Sequence, residues 1–194
     1  MANLKEIKDA IDILRTEGTQ KDNITVLHAN TMYPTPMRDV NLKAMLTIGE
    51  TFDISYGYSD HTLGIEVDIA AVAMGAKCIE KHFTLDKTKI GMDNQMATEP
   101  NQMKQLVENC DEVQKALGDT KRVVLSAELD QRKQMRRSIV VTKDLQAGSK
   151  LTYDDLDVKR PGTGFPPEHI DNLIGKNLCR DIVKDTMITK EDIN

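Results

Sequence analysis

Apolar positions along this chain follow a helical period and a strand period in turn, and the rhythm breaks once, after Gly118. Residues 4–15 place Leu4, Ile7, Ala10, Ile11 and Leu14 at helical spacing, and Glu17-Gly18 supplies the stop. Residues 24–28 (ITVLH) have the continuous apolar character of a buried strand and end in Ala29-Asn30-Thr31. Tyr33-Pro34-Thr35-Pro36 follows as a rigid turn, because neither proline can donate to a ladder. Residues 41–52 predict a second helix and residues 54–57 the next strand. The unit over residues 57–93 comes next: a short strand, a polar turn with Ser59, Asp60 and His61, an Ala-rich helical stretch over 63–75, and a strand over 76–85. Glu99-Pro100 opens a longer helix, with Pro100 suited to its first turn and Met103, Leu106, Val107, Cys110, Val113 and Leu117 as its apolar stripe. A helix followed by three strand–helix pairs predicts a parallel sheet covered by helices.

Beyond Gly118, residues 119–137 form a mixed-charge run of the kind found in solvated linkers and surface helices. From Ser138 onward, short strand-like pieces alternate with turns at 145–148, 152–155 and 160–164, which predicts a small, irregular β domain ending near Ile193. The expected division is therefore 1–118, a linker over 119–137, and 138–194.

Composition narrows the function classes. A net charge of −5 and a pI of about 5.4 over 194 residues argue against a nucleic-acid footprint or a basic membrane surface. No apolar run approaches the roughly 18 residues of a membrane span. Lys5, Glu6, Lys8 and Asp9 interrupt any signal-peptide core. The 3 cysteines lack metal-type spacing and read as reduced thiols of a cytoplasmic protein.

Parallel strands put Ser59 and His61 at the carboxyl end of one strand and Glu80 and His82 at the same end of the next, the edge where α/β folds keep their chemistry. Glu80 and His82 share a strand face while Lys81 points away. Two imidazoles and a carboxylate converging there make a divalent-metal or acid/base site. Taken singly, His61 could cap the following helix, His82 could be a hydrogen-bonded strand end, Glu80 a salt-bridge partner, and Tyr33 could pack on the prolines. Their joint placement favours a site. His28 and His169 lack such company and read as structural.

Four ordered segments, residues 33–36 (YPTP), 57–62 (GYSDHT), 79–84 (IEKHFT) and 159–164 (KRPGTG), together resemble the sialic acid synthase family. That family condenses phosphoenolpyruvate with an acylamino sugar to make nine-carbon 2-keto acids. The resemblance implies the last part of a (β/α)8 TIM barrel, from the helix before the sixth strand, followed by a small antifreeze-like SAF domain of β-clip type. It also implies that His61 and His82 hold a divalent metal, usually manganese, that Glu80 handles protons, and that Ser59 contacts phosphoenolpyruvate. Tyr33 and Asp93 would contact the sugar, and Arg160 would reach the acylamido group in the other subunit of a domain-swapped homodimer. Thr31, where neuraminate-forming members often carry Asn, brings the Asn30-Thr31 pair closer to legionaminic acid synthases, which act on a 2,4-diacetamido-6-deoxy sugar. Gly91-Met92-Asp93 replaces a more usual Gly-Pro-Asp. The family's phosphate-binding lysines and a further glutamate lie on earlier strands, so the chain is expected to be a fragment, inactive alone, or stable only as an oligomer or with its missing half. The competing class is a non-catalytic protein that binds metal and sugar, or uses the SAF domain as an interaction or ice-binding surface.

Overall fold

A computed structural model describes residues 1–194, which divide into two compact units, Met1–Thr120 and Lys121–Asn194. The first unit opens with α1 (Leu4–Thr16), started by Asn3. The Asn3 side chain accepts from the Glu6 amide at 3.0 Å while Glu6 accepts from the Asn3 amide at 2.8 Å, so two amides left open at a helix start are satisfied together. Of the apolar stripe on α1 only Ile11 is buried; Leu4 and Leu14 are exposed.

Three parallel strands follow, β1 (Thr25–Ala29), β2 (Ser55–Asp60) and β3 (Ile79–Lys81), in the spatial order β1-β2-β3. The crossovers are α2 (Lys43–Phe52) and α3 (Glu66–Ala73), and α4 (Pro100–Leu117) packs against α3. Met45 from α2, Tyr58 from β2, and Val67 and Ala71 from α3 form the core between sheet and helices. At Gly57, a Cβ would lie 2.3 Å from the Cys78 carbonyl oxygen, so only glycine lets β2 approach the entry to β3 this closely.

Several boundaries differ from the sequence expectation, each for a local reason. Ser59 and Asp60 belong to β2 and not to a turn, because they pair in register with Glu80 and Lys81. The third strand is confined to residues 79–81, since β2 ends at Asp60 and offers nothing further to pair with. His82 and Thr84 bond to the returning chain instead: the Thr98 amide donates to the His82 carbonyl at 2.7 Å and the Thr84 amide to the Thr98 carbonyl at 3.0 Å. The helix over 63–75 contracts to α3 because Gly64 has a left-handed φ of 89°. α2 likewise starts after Asn41, whose φ is 47°.

In the second unit, α5 (Ser126–Met135) turns the mixed-charge run into a surface helix with no buried residue. The antiparallel pair β4 (Ser138–Val141) and β5 (Leu156–Lys159) and the short α6 (Ile170–Leu173) surround a core that includes Ile139, Leu151, Leu173, Leu178 and Ile188. This unit contains an internal repeat: residues 141–156 align without a gap on residues 178–193, matching Asp144 with Asp181, Thr152 with Thr189 and Asp155 with Asp192. The two copies bond to each other reciprocally. Leu145 and Ile182 exchange amide–carbonyl bonds, both at 2.8 Å. The Ala147 amide donates to Asp181 Oδ1 and the Lys184 amide to Asp144 Oδ1, both at 2.7 Å. Gly148 donates to the Leu178 carbonyl and Asp185 to the Val141 carbonyl, both at 2.8 Å, and both residues take left-handed φ values, 83° and 66°. The unit is thus organised about a local twofold. No helix of the chain is long and apolar enough to cross a membrane.

Candidate functional site

The carboxyl edge of the parallel sheet gathers most of the residues that the sequence singled out. Register places Ser59 opposite Glu80, and the Ser59 hydroxyl donates to Glu80 Oε1 at 2.7 Å. One residue beyond the end of β2, the His61 ring lies 5.2 Å from the His82 ring, centroid to centroid. Tyr33 stands edge-on to both, 4.4 Å from His61 and 5.7 Å from His82. Asp93 comes from the long return after β3 and sits 3.8 Å from His82 Nδ1. Arg160 belongs to the second unit, where its exposed side chain donates through Nε to the Met135 carbonyl at 3.0 Å.

Backbone and side-chain bonds fix this edge. The Thr35 amide donates to the His61 carbonyl at 2.8 Å, tying the Tyr33-Pro-Thr-Pro turn to the histidine. Asn30 Nδ2 donates to the Asp39 carbonyl at 2.8 Å and closes the same loop from behind. Burial, followed by the charge of His82, lowers the His61 pKa, which keeps that imidazole neutral and its lone pair available.

The two histidines fit a divalent ion as a pair of ligands. His61 Nδ1 is buried without a partner, which is costly for a polar atom unless something occupies it. No third His, Cys, Asp or Glu converges on the same point, so an ion here would have two protein ligands and open positions for water or substrate oxygen.

The opposite face of the same strand pair holds a second polar cluster, which sequence reasoning passed over as Lys81 pointing away. Asp60 and Lys81 are register partners and form an ion pair, and Lys81 Nζ also lies 3.2 Å from Asp68 Oδ2 on α3. All three side chains are buried, at 0–3% exposure. Both Asp68 oxygens lack a hydrogen bond. Burial and then the Asp60 charge push the Asp68 carboxyl up to about 7. Asp60 also accepts from the Thr62 amide at 2.8 Å and the Thr62 hydroxyl at 3.0 Å, and Lys81 Nζ donates to the Thr62 carbonyl at 3.3 Å. The usable signal was period two: if Glu80 faces Ser59, Lys81 must face Asp60.

Comparison with known proteins adds an independent line. The NeuB family profile matches residues 1–122 and the SAF domain profile residues 136–194. The chain is 40% identical over 188 residues to N,N'-diacetyllegionaminic acid synthase from Campylobacter jejuni, covering 97% of this chain and 56% of that protein. It is 40% identical over 195 residues to the protein of the same name from Legionella pneumophila, covering 100% of this chain and 55% of that one. Among solved structures, it resembles the N-acetylneuraminic acid (sialic acid) synthetase from Leptospira borgpetersenii, at 35% identity and a TM-score of 0.61 over 68% of this chain and 45% of that one. The chain spans about half the length of the curated relatives it matches.

Proposed function

The chain belongs to the NeuB family, and on that premise we propose that it forms part of a synthase joining phosphoenolpyruvate to an acylamino sugar, with release of phosphate. The observation that carries this reading is the convergence of the Ser59–Glu80 pair, His61, His82, Tyr33 and Asp93 at one carboxyl edge of a parallel sheet. In this reading the three strands are the last of a (β/α)8 barrel. The sugar is a 2,4-diacetamido-6-deoxy sugar and the product a legionaminic-type nine-carbon 2-keto acid, a choice supported by Asn30-Thr31 and by the two relatives of that name.

The chemistry is a condensation followed by hydrolysis. The enol carbon of phosphoenolpyruvate attacks the aldehyde carbon of the open-chain sugar, and the aldehyde oxygen takes up a proton. Water adds at C2 and gives up its own proton. Phosphate then leaves with C–O cleavage, and the C2 hydroxyl becomes the ketone. A divalent ion, manganese in this proposal, would polarise the aldehyde when bound. His61 and His82 would hold that ion, and the lowered pKa of His61 suits it to do so. Ser59 contacts phosphoenolpyruvate and orients Glu80, which takes the proton of the adding water. Tyr33 and Asp93 position the sugar across the histidines. Arg160 serves the acylamido group in a neighbouring protomer, so the working enzyme is a domain-swapped dimer. Its setting is the cytosol, where the three free cysteines stay reduced.

The test is release of phosphate from phosphoenolpyruvate with manganese and a panel of acylamino sugars. The protein is assayed alone and with the unmatched remainder of a related synthase supplied as a second chain. Sugar-dependent release in either arrangement, abolished by His82→Ala, is the expected result. Sugar and manganese binding with no release in both arrangements would replace the synthase reading with a binding protein.

A further inference from the structure

We propose that Lys81 is a positioning residue, and that its ammonium, held between Asp60 and Asp68, clamps the His61–Thr62 loop to β3 and so sets the placement of His61 against His82. β2 and β3 carry two polar rungs side by side: Ser59–Glu80 on the face toward the proposed site, and Asp60–Lys81 on the face toward α3. The two rungs share peptide groups, so whatever fixes one fixes the other. The inner rung reaches beyond the strand ends. Asp60 holds the amide and hydroxyl of Thr62, and Lys81 donates to the Thr62 carbonyl. His61 lies between these anchored residues, and its own carbonyl is held from the other side by the Thr35 amide.

Lys81 itself sits between Glu80 and His82, so one ammonium ties the carboxyl ends of two strands that each supply a histidine. The arm from Lys81 to Asp68 extends the clamp to α3, a second rigid element. A compact buried ammonium suits this point: it donates to the Asp60 carboxylate and the Thr62 carbonyl while its charge stands 3.2 Å from a second carboxylate, Asp68.

Placement can be read without metal. In the metal-free full chain, nuclear Overhauser cross-peaks should connect the rings of Tyr33 and His61 and those of His61 and His82, which lie 4.4 and 5.2 Å apart. Two variants are compared with the wild type. Lys81→Met removes the ammonium. The pair Lys81→Met with Asp68→Leu removes it together with one carboxylate, so the formal charge of the cluster is unchanged and folding is favoured. Folded variants that lose the ring cross-peaks and bind Mn2+ about tenfold or more weakly are the expected result. A folded double variant with wild-type cross-peaks would overturn the proposal. Failure of both variants to fold would also overturn it, since Lys81 would then serve folding alone. The manganese arm rests on the function proposed above. A wild-type chain with the cross-peaks but no Mn2+ affinity would sink that metal assignment and leave the clamp standing.

Discussion

Asp155 and Asp192 in the second unit and Asp60 and Asp68 in the first are all buried carboxylates beside a basic side chain, yet the two units handle them differently. In the second unit each aspartate has its own cation and its own threonine. Asp155 accepts from the Thr152 amide and hydroxyl at 2.9 and 2.6 Å and pairs with Lys143 at 2.8 Å. Asp192 accepts from the Thr189 amide and hydroxyl, both at 2.8 Å, and pairs with Arg180. In the first unit two carboxylates share one ammonium, and the Asp68 oxygens have no hydrogen bond. A fully satisfied, duplicated arrangement serves a fold. An oversubscribed and unduplicated one, placed directly behind a cluster of histidines, does something more local.

The largest expected consequence is for the shared ammonium. Lys81→Met leaves two buried carboxylates without a cation and should destabilise the first unit by roughly 3–5 kcal/mol, the usual cost of removing one partner of a buried pair. Denaturant unfolding followed by tryptophan-free probes, such as amide exchange in β2 and β3, would measure it. A loss below about 1 kcal/mol would erase the contrast, because surface pairs cost no more than that.

Next in size are the two caps. Asp155→Ala and Asp192→Ala each remove a carboxylate that holds a threonine amide and hydroxyl, and each should cost about 2 kcal/mol. Because the copies are related by the local twofold, the two losses should be nearly equal. Markedly unequal losses in urea unfolding of the second unit would break the symmetry argument.

Acid titration should separate the units by sign. Burial and the Asp60 charge raise the Asp68 carboxyl from 3.8 to about 7, so the folded first unit binds more protons than the unfolded chain in that interval. Its stability should therefore fall as pH rises from about 4 to 7. The Lys143 and Thr152 bonds hold the Asp155 carboxyl below 3.8. Burial pushes Asp192 upward, but the Arg180 and Thr189 bonds outweigh it and leave that carboxyl lowered as well. The second unit should keep this contribution above about 4 and lose it as pH falls through the folded-state values. Amide-exchange protection measured unit by unit at several pH values would show the opposite slopes, and parallel slopes would refute them.

The contrast also explains what was legible in the sequence. Apolar period found α1, α2, α4 and the parallel strands because it is a local property of residue type, even though α1 buries only Ile11 of its stripe and α4 only Leu106. It overran β3, whose length is set by where its neighbour β2 ends, a tertiary fact. The site residues at the sheet edge could be placed because strand direction and alternation are local rules. The clamp behind them was missed because its third member, Asp68, sits on a helix that looks merely Ala-rich. The repeat in the second unit escaped for a different reason. Its signature is spacing between Lys143, Thr152 and Asp155 repeated in Arg180, Thr189 and Asp192, and no apolar period carries that.

The smallest expected effect tests whether the second unit's cations matter at all. The Lys143 and Arg180 side chains are 61% and 63% exposed, whereas their aspartates are 8% and 0% exposed. An exposed cation is well solvated with or without its partner, and each aspartate keeps its threonine amide and hydroxyl after the cation is gone. Lys143→Met and Arg180→Met should thus lower the melting temperature far less than the aspartate substitutions, and the remaining difference should shrink at high salt. If instead either change matched Asp192→Ala and resisted salt, the cations would be integral to the caps. The second unit would then depend on its ion pairs as the first depends on Lys81, and the difference between the two clusters would reduce to stoichiometry.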